Sequence, residues 1–256
     1  MWGDVLSNRH IIVPCRNESG NIPCIVSDFL TNFQQGDNLW LVEGGSQDNT
    51  AEICLGFASE ENSIHFLSQI GRGKFGGVKT VTNHLIDVGE SGLIAIWDAD
   101  NSIKFLDVSK ALLLAKSSEC FVFTERIGAT IERGAMPLIN KLGNRVIALL
   151  ASIVFKVKIK DALSGTKVFD LSLFRGLEGN RVLEFLSKDT YGDLSYFLLA
   201  KLKGTPMLAL HVDYYARKYG VSSLNRISNG VELLMSLKFA RRILIETRRE
   251  KCSKNF

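Results

Sequence analysis

GLIAIWDADNS, residues Gly92 to Ser102, sets four apolar residues, Leu93 to Ile96, against a tryptophan and two carboxylates one residue apart. A short apolar run bounded by Gly and Asp has the length and composition of a buried strand. On an extended chain, residues two apart share a face, which would bring Asp98 and Asp100 together with Cα atoms about 6 to 7 Å apart. Like charges at that spacing call for a cation or for open water. A lone D-x-D is as readily a solvated strand end, because Asp and Asn are common where strands stop. What surrounds it decides.

Upstream, apolar runs alternate with helical patterns. HIIVP (10–14), LWLVEGG (39–45) and SIHFLS (63–68) read as strands, and Asn21 to Phe33, Asp48 to Phe57 and Phe75 to Val88 as helices. With the opening stretch this is β-α-β-α-β-α-β, the pattern of a mostly parallel sheet with helices on its faces. Ligands bind such sheets at the carboxyl ends of the strands, so CRNES, EGGSQDNT and the D-x-D are expected around one crevice. Downstream, Lys104 to Lys116 reads as a helix, ECFVFTE as a strand and Pro137 to Phe155 as a long helix. TKVFDLSLF reads as a strand running into a turn, Asp193 to Lys203 as a helix and MLALHVDYY as a strand. The expectation is one α/β domain over 1–228, with a first half of about 1–103 and a second of about 104–228, followed by a helix and tail over 229–256.

A chain of 256 residues, 46% hydrophobic and 23% charged, can bury a sizeable core. The longest apolar run, Val146 to Phe155, has ten residues, so no membrane-crossing helix is expected. The N-terminal ten residues carry neither the basic nor the apolar region of a signal peptide, and the five cysteines are odd in number without metal-ligand spacing. Both point to a cytoplasmic protein with reduced thiols. Charge is uneven: Lys201 to Phe256 holds twelve Lys or Arg against four Asp or Glu, which implies an anionic partner. No basic strand interleaved with aromatics supports nucleic acid in that role.

IGRGKFGG contains a literal G-x-G-x-x-G at Gly71, Gly73 and Gly76, with Asp98 following at the next strand end. This imitates a dinucleotide fingerprint and keeps a nucleotide-binding oxidoreductase open as an alternative. Arg72 and Lys74 between the glycines, and the motif's place after the third strand, favour a loop whose cations and backbone N–H groups meet phosphates. In VEGGSQDNT, Glu43 ends a strand while Ser46, Asp48 and Thr50 can cap the next helix.

IIVPCRNESGNI, LVEGGSQDNTAEI, GRGKFGGVKT and WDAD, in this order and spacing, resemble the donor-binding half of family 2 glycosyltransferases, which have the GT-A fold. TERIGATIERGAMPLINKLGNRV, KDALSGTKVF and YYARKYGVSSLNR are similar to the branch of dolichyl-phosphate mannose synthases and polyprenyl-phosphate sugar transferases, so the likeness runs from about Ile11 to Leu234. The resemblance implies a metal-dependent, inverting transfer from a GDP- or UDP-linked sugar to a polyprenyl phosphate or a cell-envelope glycan. It gives Pro14, Asn17, Glu18, Glu43, Gly73, Lys74 and Asp98 to the nucleotide sugar, and Asp98 and Asp100 to Mg2+ or Mn2+. Gly44 stands where the family usually has a second Asp, which leaves GDP against UDP open. Hard divalent cations suit a pair of carboxylates completed by phosphate oxygens.

Arg126, Arg133, Arg217 and Ser222 are expected to bind acceptor or phosphate, Arg126 also at the reacting centre. Asp193, and Asp161 as a second candidate, are expected to be the base if the acceptor is a hydroxyl; an ionised lipid phosphate needs none. Each carboxylate is as readily a cap or turn residue. Asn229 to Glu250 has an apolar stripe of Leu233, Leu237, Ala240 and Leu244 opposite Lys238, Arg241, Arg242 and Arg249. The helix either packs its stripe on the domain with the basic face in solvent or lies on anionic lipid, giving peripheral contact with the inner face of the membrane.

Overall fold

In a computed structural model, Leu93–Ile96 is strand β4, and every residue of it is buried. The structure describes residues 8–127, 130–176, 182, 192–220 and 226–253, with 226–229 and 251–253 through their backbone alone. Strands β1 (Arg9–Cys15), β2 (Asp37–Glu43) and β3 (Ile64–Ser68) alternate with helices α1 (Ile22–Asn32), α2 (Thr50–Glu60) and α3 (Gly73–Asp87). After β4 come α4 (Phe105–Ser118), β5 (Phe121–Glu125), α5 (Leu138–Phe155) and β6 (Lys167–Asp170). A 3-10 turn at Leu171–Phe174, α6 (Ser195–Lys203), β7 (Met207–His211) and α7 (Arg226–Ser253) follow. The β/α alternation through β4 and the later elements stand where their residue patterns put them.

The sheet order is β3-β2-β1-β4-β6-β5-β7. β1 pairs in parallel with both β2 and β4, whereas β6 is antiparallel to β4 and to β5. Strand side chains alternate between two cores, as a period of two requires. Ile12, Trp40, Ile94 and Ile96 face the side covered by α3, α5, α6 and α7. Ile11, Leu39, Leu41 and Ala95 face the side covered by α1 and α4. Burial on both faces is why β4 reads as an unbroken apolar run.

One expectation changes and one open reading is decided. α5 is an 18-residue helix with mean hydropathy 1.5, long and apolar enough by length and composition to cross a membrane, and only 28% of it is buried. Asn144 and Arg145 bound the consecutive apolar run in sequence, but the helix continues through them. In α7, Leu237 and Ala240 belong to the core, and Leu233 and Leu244 pack against it. Of the two readings of this stripe, the structure has the one that packs it on the domain.

Candidate active site

β4 delivers its carboxylates by stopping. The buried Trp97 indole donates to the Ile103 carbonyl at 2.8 Å, pinning a six-residue loop across the strand end. Asn101 adopts a left-handed conformation, φ 53°, one that Asn tolerates better than most residues. The chain turns at Ala99 and Asp100, and the two carboxylates accept hydrogen bonds from different cations. Asp98 points to α3, where Lys74 Nζ donates to Oδ1 and also to the Gly165 carbonyl at 3.1 Å. Asp100 points to the segment after β7: Arg217 donates to Oδ2 at 2.8 Å, and the Ser102 hydroxyl to Oδ1 at 2.6 Å.

Lys74 is available because the glycine motif places it in the first turn of α3, with Gly73 at φ 68° and its carbonyl accepting from Gln69 Nε2 at 2.9 Å. The loop therefore presents a lysine to a carboxylate at the sheet's crevice. Burial alone would raise the Asp98 pKa, yet the Lys74 ammonium, with Lys167 and Arg126 behind it, holds it below the usual carboxylate range. Burial likewise opposes the Lys74 charge, and Asp98 and Asp193 more than restore it. A Cβ at Gly165 would overlap both the Asp98 carboxylate and Lys74 Nζ, so this position admits only glycine without a shift.

The ends of β1 and β2 form the adjoining wall. Pro14 is on β1, with its Cβ 3.1 Å from where a Cβ on Gly77 would stand. Asn17, at φ 57°, donates its N–H to Ser46 Oγ at 2.9 Å and accepts from Gln47 at 2.8 Å. Glu18 donates its N–H to Thr50 Oγ1 at 2.9 Å. Burial pushes its carboxyl above the usual range, although Asn21 and Arg217 work against that. Glu43 accepts from the Ser46 N–H at 2.5 Å; burial would raise its pKa, but hydrogen bonds from Ser46 and Gly45 bring it below normal. Ser46, Asp48 and Thr50 brace the loop after β1 rather than closing the first turn of α2 alone.

The segment after β7 closes this wall. The Tyr215 N–H donates to the Ser102 carbonyl at 2.9 Å, and the Tyr219 ring lies over Gly20. Arg217 reaches Glu18 as well as Asp100, at 3.9 Å. Ser222 lies outside the described residues. Arg133 is exposed on the turn that pairs with Tyr214 and Ala216, with no hydrogen bond or ion pair to the cluster among the described residues.

Because β6 runs antiparallel, its first residue lies at the carboxyl end of β4, with Lys167 in register with Ile96. Lys167 is 1% exposed and donates to the Ser164 carbonyl at 2.5 Å and to Asp193 Oδ1 at 3.0 Å. Burial drives its pKa below the ordinary lysine value, and Asp193 offsets only part. Asp193 is thus an ion-pair partner of a buried lysine. A lysine inside the apolar run TKVF was the one sign of this pair in the sequence.

Asp161 is more deeply committed. Arg126 grips it through its backbone N–H (3.0 Å), Nε (2.7 Å) and Nη2 (3.0 Å), Asn144 donates at 2.5 Å and the Leu163 N–H at 3.2 Å. Its side chain is inaccessible. Burial would raise its pKa, but the Arg126 charge and these donors hold it low. Five donors occupy this buried carboxylate. It fixes Arg126, whose guanidinium also stacks 4.9 Å from the Tyr214 ring.

Carboxylates at strand ends, each matched by a cation, make an anion-handling crevice with two hard oxygen donors. No group of three or more metal-ligating side chains occurs among the described residues. Asp98 and Asp100 suit Mg2+ or Mn2+ when phosphate oxygens and water complete the shell.

Residues 10–177 match the pattern described as "Glycosyl transferase family 2". The chain is 25% identical over 230 residues to "Glycosyltransferase AglJ" of Haloferax volcanii, spanning 89% of this chain and 70% of that protein. It is 32% identical over 113 residues to "Dolichyl-phosphate beta-glucosyltransferase" of Saccharomyces cerevisiae, 40% of this chain and 32% of the relative. Among solved structures, glucosyl-3-phosphoglycerate synthase from Mycobacterium tuberculosis, in complex with Mn2+, uridine diphosphate and phosphoglyceric acid, aligns with TM-score 0.64. That alignment has 16% identity over 92% of this chain and 79% of that one, a likeness of fold.

Proposed function

The chain belongs to glycosyl transferase family 2, and from that premise we propose that it transfers a hexosyl group, with inversion, from a GDP- or UDP-linked donor to a polyprenyl phosphate. As a family 2 enzyme it uses a nucleotide-sugar donor, so the oxidoreductase alternative built on Gly71, Gly73 and Gly76 falls away. The acceptor and the metal are the proposed part.

One observation carries the choice of acceptor: neither candidate base is at liberty. Asp193 is paired with buried Lys167 at 3.0 Å, and Asp161 is saturated by Arg126 and Asn144. A sugar hydroxyl acceptor needs a group to take its proton, whereas a phosphate monoester arrives ionised. An acceptor phosphate oxygen then attacks the anomeric carbon as the bond to the donor diphosphate breaks, and the electron pair leaves on the diphosphate with no proton to remove. Lys74 and Arg217 lie beside Asp98 and Asp100, and Arg126, its Nε and Nη2 held by Asp161, contributes the remainder of its guanidinium charge to phosphate oxygens. Pro14, Asn17, Glu18 and Glu43 line the nucleoside side. Asp98 and Asp100 would hold Mg2+ or Mn2+, which when bound neutralises charge on the departing diphosphate. The yeast relative's name, a dolichyl-phosphate glucosyltransferase, supports the same acceptor class. We further propose that the reaction occurs at the cytoplasmic face of a membrane, where a water-soluble donor meets a lipid-borne acceptor.

The test is incubation of purified protein with UDP- or GDP-hexoses, Mn2+ and a short-chain polyprenyl phosphate, followed by mass spectrometry. A lipid phosphate heavier by one hexose is expected. Sugar transfer to a glycan hydroxyl, with none to the lipid phosphate, would overturn the acceptor assignment.

A further inference from the structure

Helix α5 is apolar on two opposite faces. Ile147, Ala148, Ala151 and Phe155 are buried in the core shared with α6 and α7. Leu138, Ile139, Leu142, Val146, Leu149 and Ile153 point outward and are 51% to 82% exposed. At 3.6 residues per turn these six fall within one arc of about 100°, a full apolar stripe with nothing packed on it among the described residues. Alongside the C-terminal half of the stripe runs a groove of about 730 Å³, floored by Leu149 and Ile153 and edged by Arg145, Lys156, Lys158 and Lys160. From Arg133 to Lys160 the chain carries six Lys or Arg and no Asp or Glu.

We propose that the outward face of α5, with its cationic groove, docks on an anionic lipid bilayer, the helix lying in the plane of the interface. An apolar stripe edged by cations matches the layering of such a membrane, hydrocarbon beneath and anionic headgroups beside it. A second copy of the chain fits less well, because a two-fold contact through this face would set its cations against their like. The helix lies on the bilayer and does not cross it. Its inner face is core, and Asn144 on that face is bonded to Asp161, which holds Arg126. Crossing would carry the Arg126–Asp161 ion pair and the Asn144 amide bonded to it into hydrocarbon. The inference rests on α5 and its rim alone and stands or falls apart from the identity of the acceptor.

Flotation of the full chain with phosphatidylcholine vesicles, with and without phosphatidylglycerol, tests it. The protein is expected to float with the anionic vesicles and to be released by salt. Leu142→Gln/Leu149→Gln/Ile153→Gln should lower the bound fraction about tenfold or more, and Lys156→Gln/Lys158→Gln/Lys160→Gln should abolish the preference for anionic lipid. Arg241→Gln/Arg242→Gln/Arg248→Gln/Arg249→Gln, on α7, should float as wild type does. All these positions are exposed, and thermal melting checks each fold; should the triple α5 variant melt early, Leu149→Glu alone gives the same comparison. Wild type that stays in the pellet, or an α5 variant that floats like wild type, would overturn the proposal. So would a wild-type dimer that becomes a monomer in the α5 variant with neither form binding vesicles, which would give the face to a second copy.

Discussion

The charged pairs on the two sides of β4 differ in kind. On the side of β1 and α3, Lys74 and Asp98 keep 19% and 29% of their side chains exposed, and Arg217 and Asp100 keep 31% and 12%. On the side of β6 and β5, Lys167 and Asp193 are at 1% and 15%, and Arg126 and Asp161 at 13% and 0%, so each pair has one member sealed from water. A half-open pair can exchange its partner for a ligand at small cost, because water already solvates part of each charge. A closed pair cannot, and removing one member leaves a charge stranded in the interior. The first side is therefore built to bind and release, the second to hold a shape.

The largest expected effect is on the open side. Asp100→Asn should lower kcat/KM on the order of 10²- to 10³-fold, the scale of losing one charge-stabilising group at a reacting centre, with the melting temperature little changed. Steady-state assays under limiting Mn2+, paired with thermal melting, check this. Wild-type turnover, or a variant that does not fold, would erase the distinction between the two sides.

Next is the closed side. Lys167→Met should destabilise the protein by about 3 to 5 kcal/mol in urea unfolding, because Asp193 loses its buried partner, and replacing both with Lys167→Met/Asp193→Leu should recover much of that. Lys74→Met, in the more open pair, should cost less than Lys167→Met. Equal costs for the two lysines would mean that exposure does not separate the pairs.

A smaller effect concerns pH. Asp161 has its folded pKa below the 3.8 of an ordinary Asp, so in acid the unfolded chain takes up a proton that the folded chain refuses. The stability this group contributes is complete above about pH 4 to 5 and is lost as pH falls through the folded pKa. The stability gap between wild type and Asp161→Asn should therefore narrow as urea titrations move downward from about pH 6 towards pH 3. A gap independent of pH would show that Asp161 does not depend on its ionised form.

How much was legible follows the same division. On the open side each site residue trails its own strand in chain order: Asn17 and Glu18 after β1, Glu43 at the end of β2, Asp98 and Asp100 after β4. A parallel sheet gathers such ends without further information. The turn at Ala99, which sends the two carboxylates to different cations, was not legible, because it depends on Trp97 reaching back to Ile103. On the closed side the site comes from segments far apart. β6 reverses direction and brings Lys167 to Asp193, 26 residues on, and nothing in TKVF announces the direction of the strand. Asp161 could be a base or a brace from its neighbours in sequence, which do not show Asn144 and Arg126 around it. The outward face of α5 was hidden for a simpler reason: polar residues on its inner and flanking faces interrupt the apolar run in sequence but not the stripe in space.

The most direct test of the central claim is the rate of Asp193→Asn with polyprenyl phosphate as acceptor at saturating donor, below the variant's melting temperature and with nucleotide binding measured alongside. An acceptor that brings its own charge needs no proton removed, so kcat should stay within about tenfold of wild type, well short of the 10² to 10⁴ that a lost general base costs. A loss of several hundredfold, with nucleotide affinity unchanged, would make Asp193 the base and contradict the phosphate acceptor.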